Sequence, residues 1–291
     1  MPSLILRKKY AHETALRERL YPLFQTVFGI DAALLREYHS RGFWNPTYSP
    51  YTLFDGNLAV ANASKFALPL LLDGQAVQAA GIQSVMTHPE YRGHGLMKRV
   101  FTELLSDLDR ETDLAFLQTD APELYRPYGF QLLKQHLFTA EISKPAKAGG
   151  LRKVDFLQET GLVREMFQEN QPVSKRFAPL AYGSSFALNL YDPSWQERLF
   201  YAESLRALLV YEVRDGVLRL FDVAGWKLPT WDELLAVIPD AFTRVEFHFA
   251  PDAFLDGAVP VQVVPAAYQN LMVRGNFPLA SPFKLQPTAA F

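Results

Sequence analysis

Hydrophobic and polar positions along this chain follow two rhythms, and the change between them marks the predicted elements. Met97, Val100, Phe101, Leu104, Leu105 and Leu108 recur at helical spacing, with Lys98, Arg99, Glu103 and Asp107 on the other side. That is the clearest amphipathic helix in the sequence. Upstream, Leu16, Leu20, Leu23, Phe24 and Val27 keep nearly the same period, and Pro22 predicts either a kink or a break. Gly29 reads as a stop, and Asp31 as the cap of a second helix reaching about His39. Strand-like runs meet at two Asp-Gly pairs, which supply the positive φ angles of tight hairpins. Asp55-Gly56 joins 52–54 to 58–66, and Asp73-Gly74 joins 67–72 to 76–86, predicting an antiparallel meander. Residues 4–7 add a first strand, 114–119 a short one, 122–125 a helical turn and 132–142 a closing strand.

Residues 144–150, K-P-A-K-A-G-G, read as a linker between a domain at 1–143 and another at 151–291. The second half predicts a helix over 157–169, then an irregular stretch to Tyr191. A hairpin over 206–213 and 217–223 turns at Asp215-Gly216, and a helix covers 231–238. Strands are expected at 245–249, 261–264 and 269–273. Both halves thus place an Asp-Gly hairpin before a helix and a further strand. In the second half the stretch after Asp222-Val223 is A-G-W-K-L-P-T, which carries no arginine–glycine loop.

Composition narrows the classes. A length of 291 residues suits about two domains, and 49% hydrophobic content is ample for buried cores. A net charge of -2 argues against a general nucleic-acid binder. With no cysteine, a disulfide framework, a thiolate metal site and a cysteine nucleophile are excluded. The six histidines show no paired spacing of the H-x-x-x-H kind, so no metal is expected. No secretory signal or ~20-residue apolar span is evident, which makes a cytoplasmic protein the expectation.

The chemistry is expected within 84–131. Arg92-Gly93-His94-Gly95-Leu96-Met97 opens the amphipathic helix, and first-turn amides lacking internal partners form an anion site there. Arg92, His94, Lys98 and Arg99 add local positive charge. The loop at 41–51, R-G-F-W-N-P-T-Y-S-P-Y, offers Phe43, Trp44, Tyr48 and Tyr51 either as a packed connector or as a pocket wall.

These residues together resemble the GNAT acetyltransferase family. Val85-Met86-Thr87-His88-Pro89 matches its strand and following proline, and R-G-H-G-L-M stands in its Q/R-x-x-G-x-G/A frame. Tyr125 precedes Gly129-Phe130 at the place of the tyrosine in Y-x-x-x-G-F. Met97 departs from the usual small residue, a variant that looks like the Eis-type branch of tandem domains. The specific resemblance covers about residues 50–142. It implies a mixed, mainly antiparallel α/β sheet flanked by helices, followed by a second, degenerate GNAT-like domain. An evident sterol-carrier-like third domain is missing from 291 residues.

The resemblance also implies acetyl-CoA as cosubstrate and an amine, on a small molecule or a peptide, as acceptor. Backbone at Val85, Met86 and Thr87 would meet the pantetheine arm and thioester. Arg92, Gly93, His94, Gly95, Leu96, Met97 and Lys98 would meet the phosphates, with Asp120 beside the site. Tyr125 would be the general acid. The base is unassigned among Asp120, Glu123, His88, a water chain and the Phe291 carboxylate, the last being the group given this role in Eis-type proteins. Without a cysteine to hold an acyl-enzyme, transfer is expected within a ternary complex. The rival reading is a non-catalytic acyl-CoA-binding sensor. The oligomeric state stays open.

Overall fold

The computed structural model describes residues 4–147, 149–263 and 270–291. The first half contains β1 (Ile5–Lys8), α1 (Thr14–Phe28), α2 (Ala32–Ser40), β2 (Ser49–Asp55) and β3 (Leu58–Ala67). It continues through β4 (Leu70–Leu72), β5 (Gln75–Val77), β6 (Ala80–Thr87), α3 (Leu96–Leu108) and β7 (Ala115–Thr119). Then come β8 (Phe130–Leu132) and β9 (His136–Lys144). The second half runs β10 (Leu151–Lys153), α4 (Thr160–Gln168), β11 (Phe177–Pro179), α5 (Gly183–Asn189) and α6 (Pro193–Gln196). It ends with β12 (Leu199–Ala202), β13 (Ala207–Arg214), β14 (Val217–Gly225), α7 (Trp231–Val237), β15 (Phe242–Phe247), β16 (Val259–Gln262) and β17 (Asn270–Arg274). The expected strands at 261–264 and 269–273 extend into residues 264 and 269, which lie outside the described residues.

This is a mixed α/β fold of two seven-stranded sheets and one of three strands. The first sheet has the order β1-β2-β3-β6-β7-β17-β8, and the second β10-β12-β13-β14-β15-β9-β16. Neighbours run antiparallel except β6–β7 and β14–β15, the two pairs bridged by α3 and α7. The expected segments 1–143 and 151–291 do not sort sheet by sheet. β9, read as the closing strand of the first half, pairs with β15 and β16 in the second sheet. β17 returns from the far end to lie between β7 and β8.

The meander is also corrected. β3 pairs directly with β6, while the Asp73-Gly74 hairpin of β4 and β5 leaves the sheet and joins β11. Leu70 and Leu72 are buried on that hairpin, so pairing with β11 removes their apolar surface from water. The stretch read as irregular up to Tyr191 holds β11 and α5. Pro22 sits inside a single α1, Gly29 ends it at φ +71°, and the Asp31 carboxylate accepts the Ala33 N–H at 2.7 Å.

Helix α3 buries the predicted stripe: Leu96, Val100, Phe101, Leu104, Leu105 and Leu108 are all buried. They pack against Leu53, Val60, Ile82 and Leu117 of the first sheet. Each such side chain contributes about 1.5–3 kcal/mol by burial, so Phe101→Ala is the single change that would most loosen the helix, at about 3–5 kcal/mol. A second core joins the halves, with Phe66, Leu68 and Leu70 packed among Phe156, Phe177, Phe186 and Leu199.

Candidate active site

Parallel strands β6 and β7 stay paired for only three positions, Ala80↔Ala115, Gly81↔Phe116 and Ile82↔Leu117. Beyond them the strands part, leaving the β7-facing edge of residues 83–87 without a strand partner. The parting coincides with a bulge. Ser84 stands at φ +55°, and the β3–β6 register shifts between Asn62 and Ser64. A left-handed serine is strained backbone, on the order of 1 kcal/mol or more. It is held by Asn62, whose Nδ2 donates to the Ser84 carbonyl at 2.8 Å and to Ser64 Oγ at 2.9 Å. Thr52 Oγ1 donates to Asn62 Oδ1 at 2.6 Å, and Ser64 Oγ donates to Tyr48 OH at 2.7 Å. This buried polar chain fixes the bulge because breaking any member strands another in a dry interior.

The parting opens a cavity of about 310 Å³. Val85, Asp120 and Tyr125 line it together with Trp44, Tyr48 and Phe291. These predicted residues therefore come together. Phe291 donates its N–H to Gln118 Oε1 at 3.0 Å and sets its ring edge-on to Phe66 at 5.1 Å. Ser84, Gln83 and Gln118 also line the cavity, and sequence reasoning missed them, since neither a left-handed serine nor a glutamine at a strand end leaves a local signal.

Tyr51 is a correction. It lies in β2, fully buried in the core under α3, with its OH donating to Asp107 Oδ2 at 2.8 Å. Strand alternation turns it to the sheet face opposite the cavity. Phe43 is core as well, stacked on Tyr38 and packed on Phe156. The Met86 side chain is buried under α1.

The glycine loop follows the end of β6. Gly93 and Gly95 have φ of +80° and +71°, and nothing lies within 4 Å of where a side chain would begin at either. Arg92 Nε donates to the Thr87 carbonyl at 3.4 Å, tying the loop back to the strand. Gly95 caps α3 with no side-chain hydrogen bond, and the first turn carries no acid. The amides of Leu96, Met97 and Lys98 thus face outward with the helix dipole behind them. Arg92, His94, Lys98 and Arg99 are exposed around them.

Tyr125 lies between two single-turn helices, 8% exposed, with its ring against Phe101 and Phe130. Burial, reinforced by the Asp120 charge, pushes its phenol up to about 12, while the Thr119 hydroxyl pulls the other way. It therefore holds its proton throughout the neutral range. Tyr128 packs on Phe101 at 4.8 Å instead. His88 caps the turn after β6, its Nδ1 accepting the Glu90 N–H at 3.4 Å. Among the described residues no group of three or more His, Asp or Glu side chains is placed to hold a metal, and no helix is long and apolar enough to cross a membrane.

Comparison with known proteins agrees with this geometry. Residues 12–133 match the family model described as an acetyltransferase (GNAT) domain. No curated protein matches the sequence. Among solved structures, a conserved protein of unknown function from Enterococcus faecalis V583 is 17% identical with a TM-score of 0.60, covering 94% of this chain and 73% of its own. A GCN5-related N-acetyltransferase from Kribbella flavida is 20% identical with a TM-score of 0.55, over 94% of this chain and 71% of that one. Eis1 from Mycobacterium abscessus is 14% identical with a TM-score of 0.54, over 94% and 73%. These likenesses extend the shared fold across both halves, the tandem arrangement that the Eis-type resemblance implies. Residues 12–133 of the chain thus match the acetyltransferase (GNAT) domain family, within the first half of the sequence.

Proposed function

We propose that this protein transfers an acetyl group from acetyl-CoA to a primary amine, by direct attack in a ternary complex. The observation that carries the reading is the parting of β6 and β7, which puts the Tyr125 phenol on the wall of a cavity while β6 runs on to the open end of α3. The residues present fit the cosubstrate. The amides at 93–98 and the bare approach at Gly93 and Gly95 suit a pyrophosphate, with Arg92 and Lys98 adding charge. The free edge of Val85–Thr87 suits the pantetheine arm, and donors there would face the thioester oxygen.

Acetyl-CoA supplies the activated acyl group; the chain supplies position and protons. The reaction exchanges a thioester C–S bond for an amide C–N bond, one proton leaving the amine nitrogen and one arriving at the thiolate sulfur. Tyr125, which burial keeps protonated, would give its proton to sulfur as the C–S bond breaks, and the proton released by the amine would restore the phenol through solvent. No side chain is assigned as base.

Titration calorimetry with acetyl-CoA on wild type and Gly95→Trp tests this. Micromolar binding that is lost in the folded variant supports the site, and amine-dependent thiol release then follows. Absence of binding to the folded wild type sinks the reading. Binding without turnover on any amine leaves the acyl-CoA-binding sensor in its place.

A further inference from the structure

Resting on the acetyl-transfer reading, the cavity wall specifies the acceptor more narrowly than "an amine". Among the described residues that line the cavity, Asp120 is the only side-chain carboxylate, and there is no lysine, arginine or histidine. The apolar part of the wall includes Phe24, Leu35, Phe66 and Leu188, and the uncharged polar part Asn45, Gln83, Gln118 and Thr119. Leu188 and its neighbours Ser184 and Ser185 come from α5, so the second half closes the pocket with small hydroxyls rather than acids. Phe28, 44% exposed, carries the apolar wall toward solvent. The volume of about 310 Å³ lies at the small end of the ~300–1,000 Å³ typical of ligand pockets.

A second observation concerns Trp44. Its indole N–H is buried and has no acceptor among the described residues, although the ring lines the cavity. A buried donor left unpaired is costly, so an oxygen on the occupant is the natural partner.

We infer that the acceptor is a small arylalkyl monoamine: one primary amine on an apolar, ring-bearing body, with an oxygen that meets the Trp44 N–H. Asp120 balances one ammonium as it enters, before that nitrogen loses its proton to attack. A polyamine or amino sugar brings further positive charges that no second acidic side chain on this wall balances, and desolvating them without a counter-charge opposes binding. The apolar body gains in proportion to the area it buries, and its ring meets Phe and Trp edges in the geometries aromatic pairs favour.

The test measures thiol release from acetyl-CoA with tyramine and tryptamine against spermine and kanamycin, alongside acetyl-CoA calorimetry on the same wild-type preparation. The expected result is kcat/KM for the arylalkyl amines at least about 100-fold above the polycations, with Ser185→Asp lowering that ratio about tenfold by adding a second acid to the wall. Equal or better turnover of the polycations, with acetyl-CoA bound, overturns this inference and leaves the acetyltransferase reading standing. Failure to bind acetyl-CoA overturns both. Binding without turnover of any of the four amines overturns this inference and favours the sensor.

Discussion

The two halves repeat one unit, a strand, a helix and a parallel strand, and differ at each point where chemistry would need an opening. In the first half α3 begins at a glycine with no side-chain cap and has Lys98 at its third position. In the second, α7 begins at Thr230, and Glu233 takes the third position in a reciprocal capping box, with Thr230 N–H donating to Glu233 Oε2 at 2.7 Å. The Thr230 and Glu233 amides are thereby satisfied, and Asp232 and Glu233 repel a phosphate.

The strand ends differ in the same sense. β14 and β15 also part after four pairs, but residues 283–289 pack against the free end of β14. There Asp222 accepts from Tyr182 OH at 3.0 Å, Gln286 Nε2 at 2.9 Å, Thr288 Oγ1 at 2.5 Å and Val223 N–H at 2.8 Å. One copy of the unit leaves its first-turn amides and strand edge open; the other caps its helix and covers its strand end from within. Degeneracy here is the satisfaction of groups that a working site must leave unsatisfied.

Four substitutions test that contrast. Tyr125→Phe should lower kcat about 100- to 1,000-fold with acetyl-CoA affinity retained, measured by steady-state kinetics and calorimetry. The wild-type rate should also hold on the alkaline side past pH 10, because the acid stays protonated until pH approaches the phenol's value of about 12. A fall centred near the ordinary tyrosine value of 10.0 that persists unchanged in the residual activity of Tyr125→Phe would remove Tyr125 from the role. Asp222→Ala should cost about 3 kcal/mol in urea unfolding, since it strands several buried donors. Unchanged stability would show that the second opening is not closed by this network. Lys98→Glu, which gives α3 the residue type that α7 carries at the same helix position, should weaken acetyl-CoA about tenfold and reduce the salt dependence of binding. Thr230→Ala should cost about 1 kcal/mol of stability and leave acetyl-CoA affinity unchanged. A loss of affinity there would mean that the second half also binds the cosubstrate.

Local patterns were legible in the sequence and long-range pairings were not. The periodicity of Val100 to Leu108 gave α3, and the Asp-Gly pairs at 55–56 and 215–216 gave the hairpins, because each signal lies within one element. The glycine loop and Tyr125 were visible as spacing. The parting of β6 from β7 was not, since it depends on Ser84 adopting a backbone usual for glycine, under hydrogen bonds from β3. Tyr51 was misread for a related reason: without the start of β2 its alternation, and hence its face, is undefined. Val273 and Phe138 look alike as strand residues, and nothing near either says that they belong to each other's expected sheets.

The place of β17 has a consequence for biosynthesis. Residues 270–274 separate β7 from β8, the strands on either side of the Tyr125 turn, and Arg274 Nε bonds the Tyr128 carbonyl at 3.0 Å. On the ribosome, residues 12–133, which match the acetyltransferase domain, are made before the strand that separates β7 from β8. A nascent chain that has exposed only its first half therefore lacks the finished sheet, and the site assembles only after more than nine-tenths of this sequence has been translated.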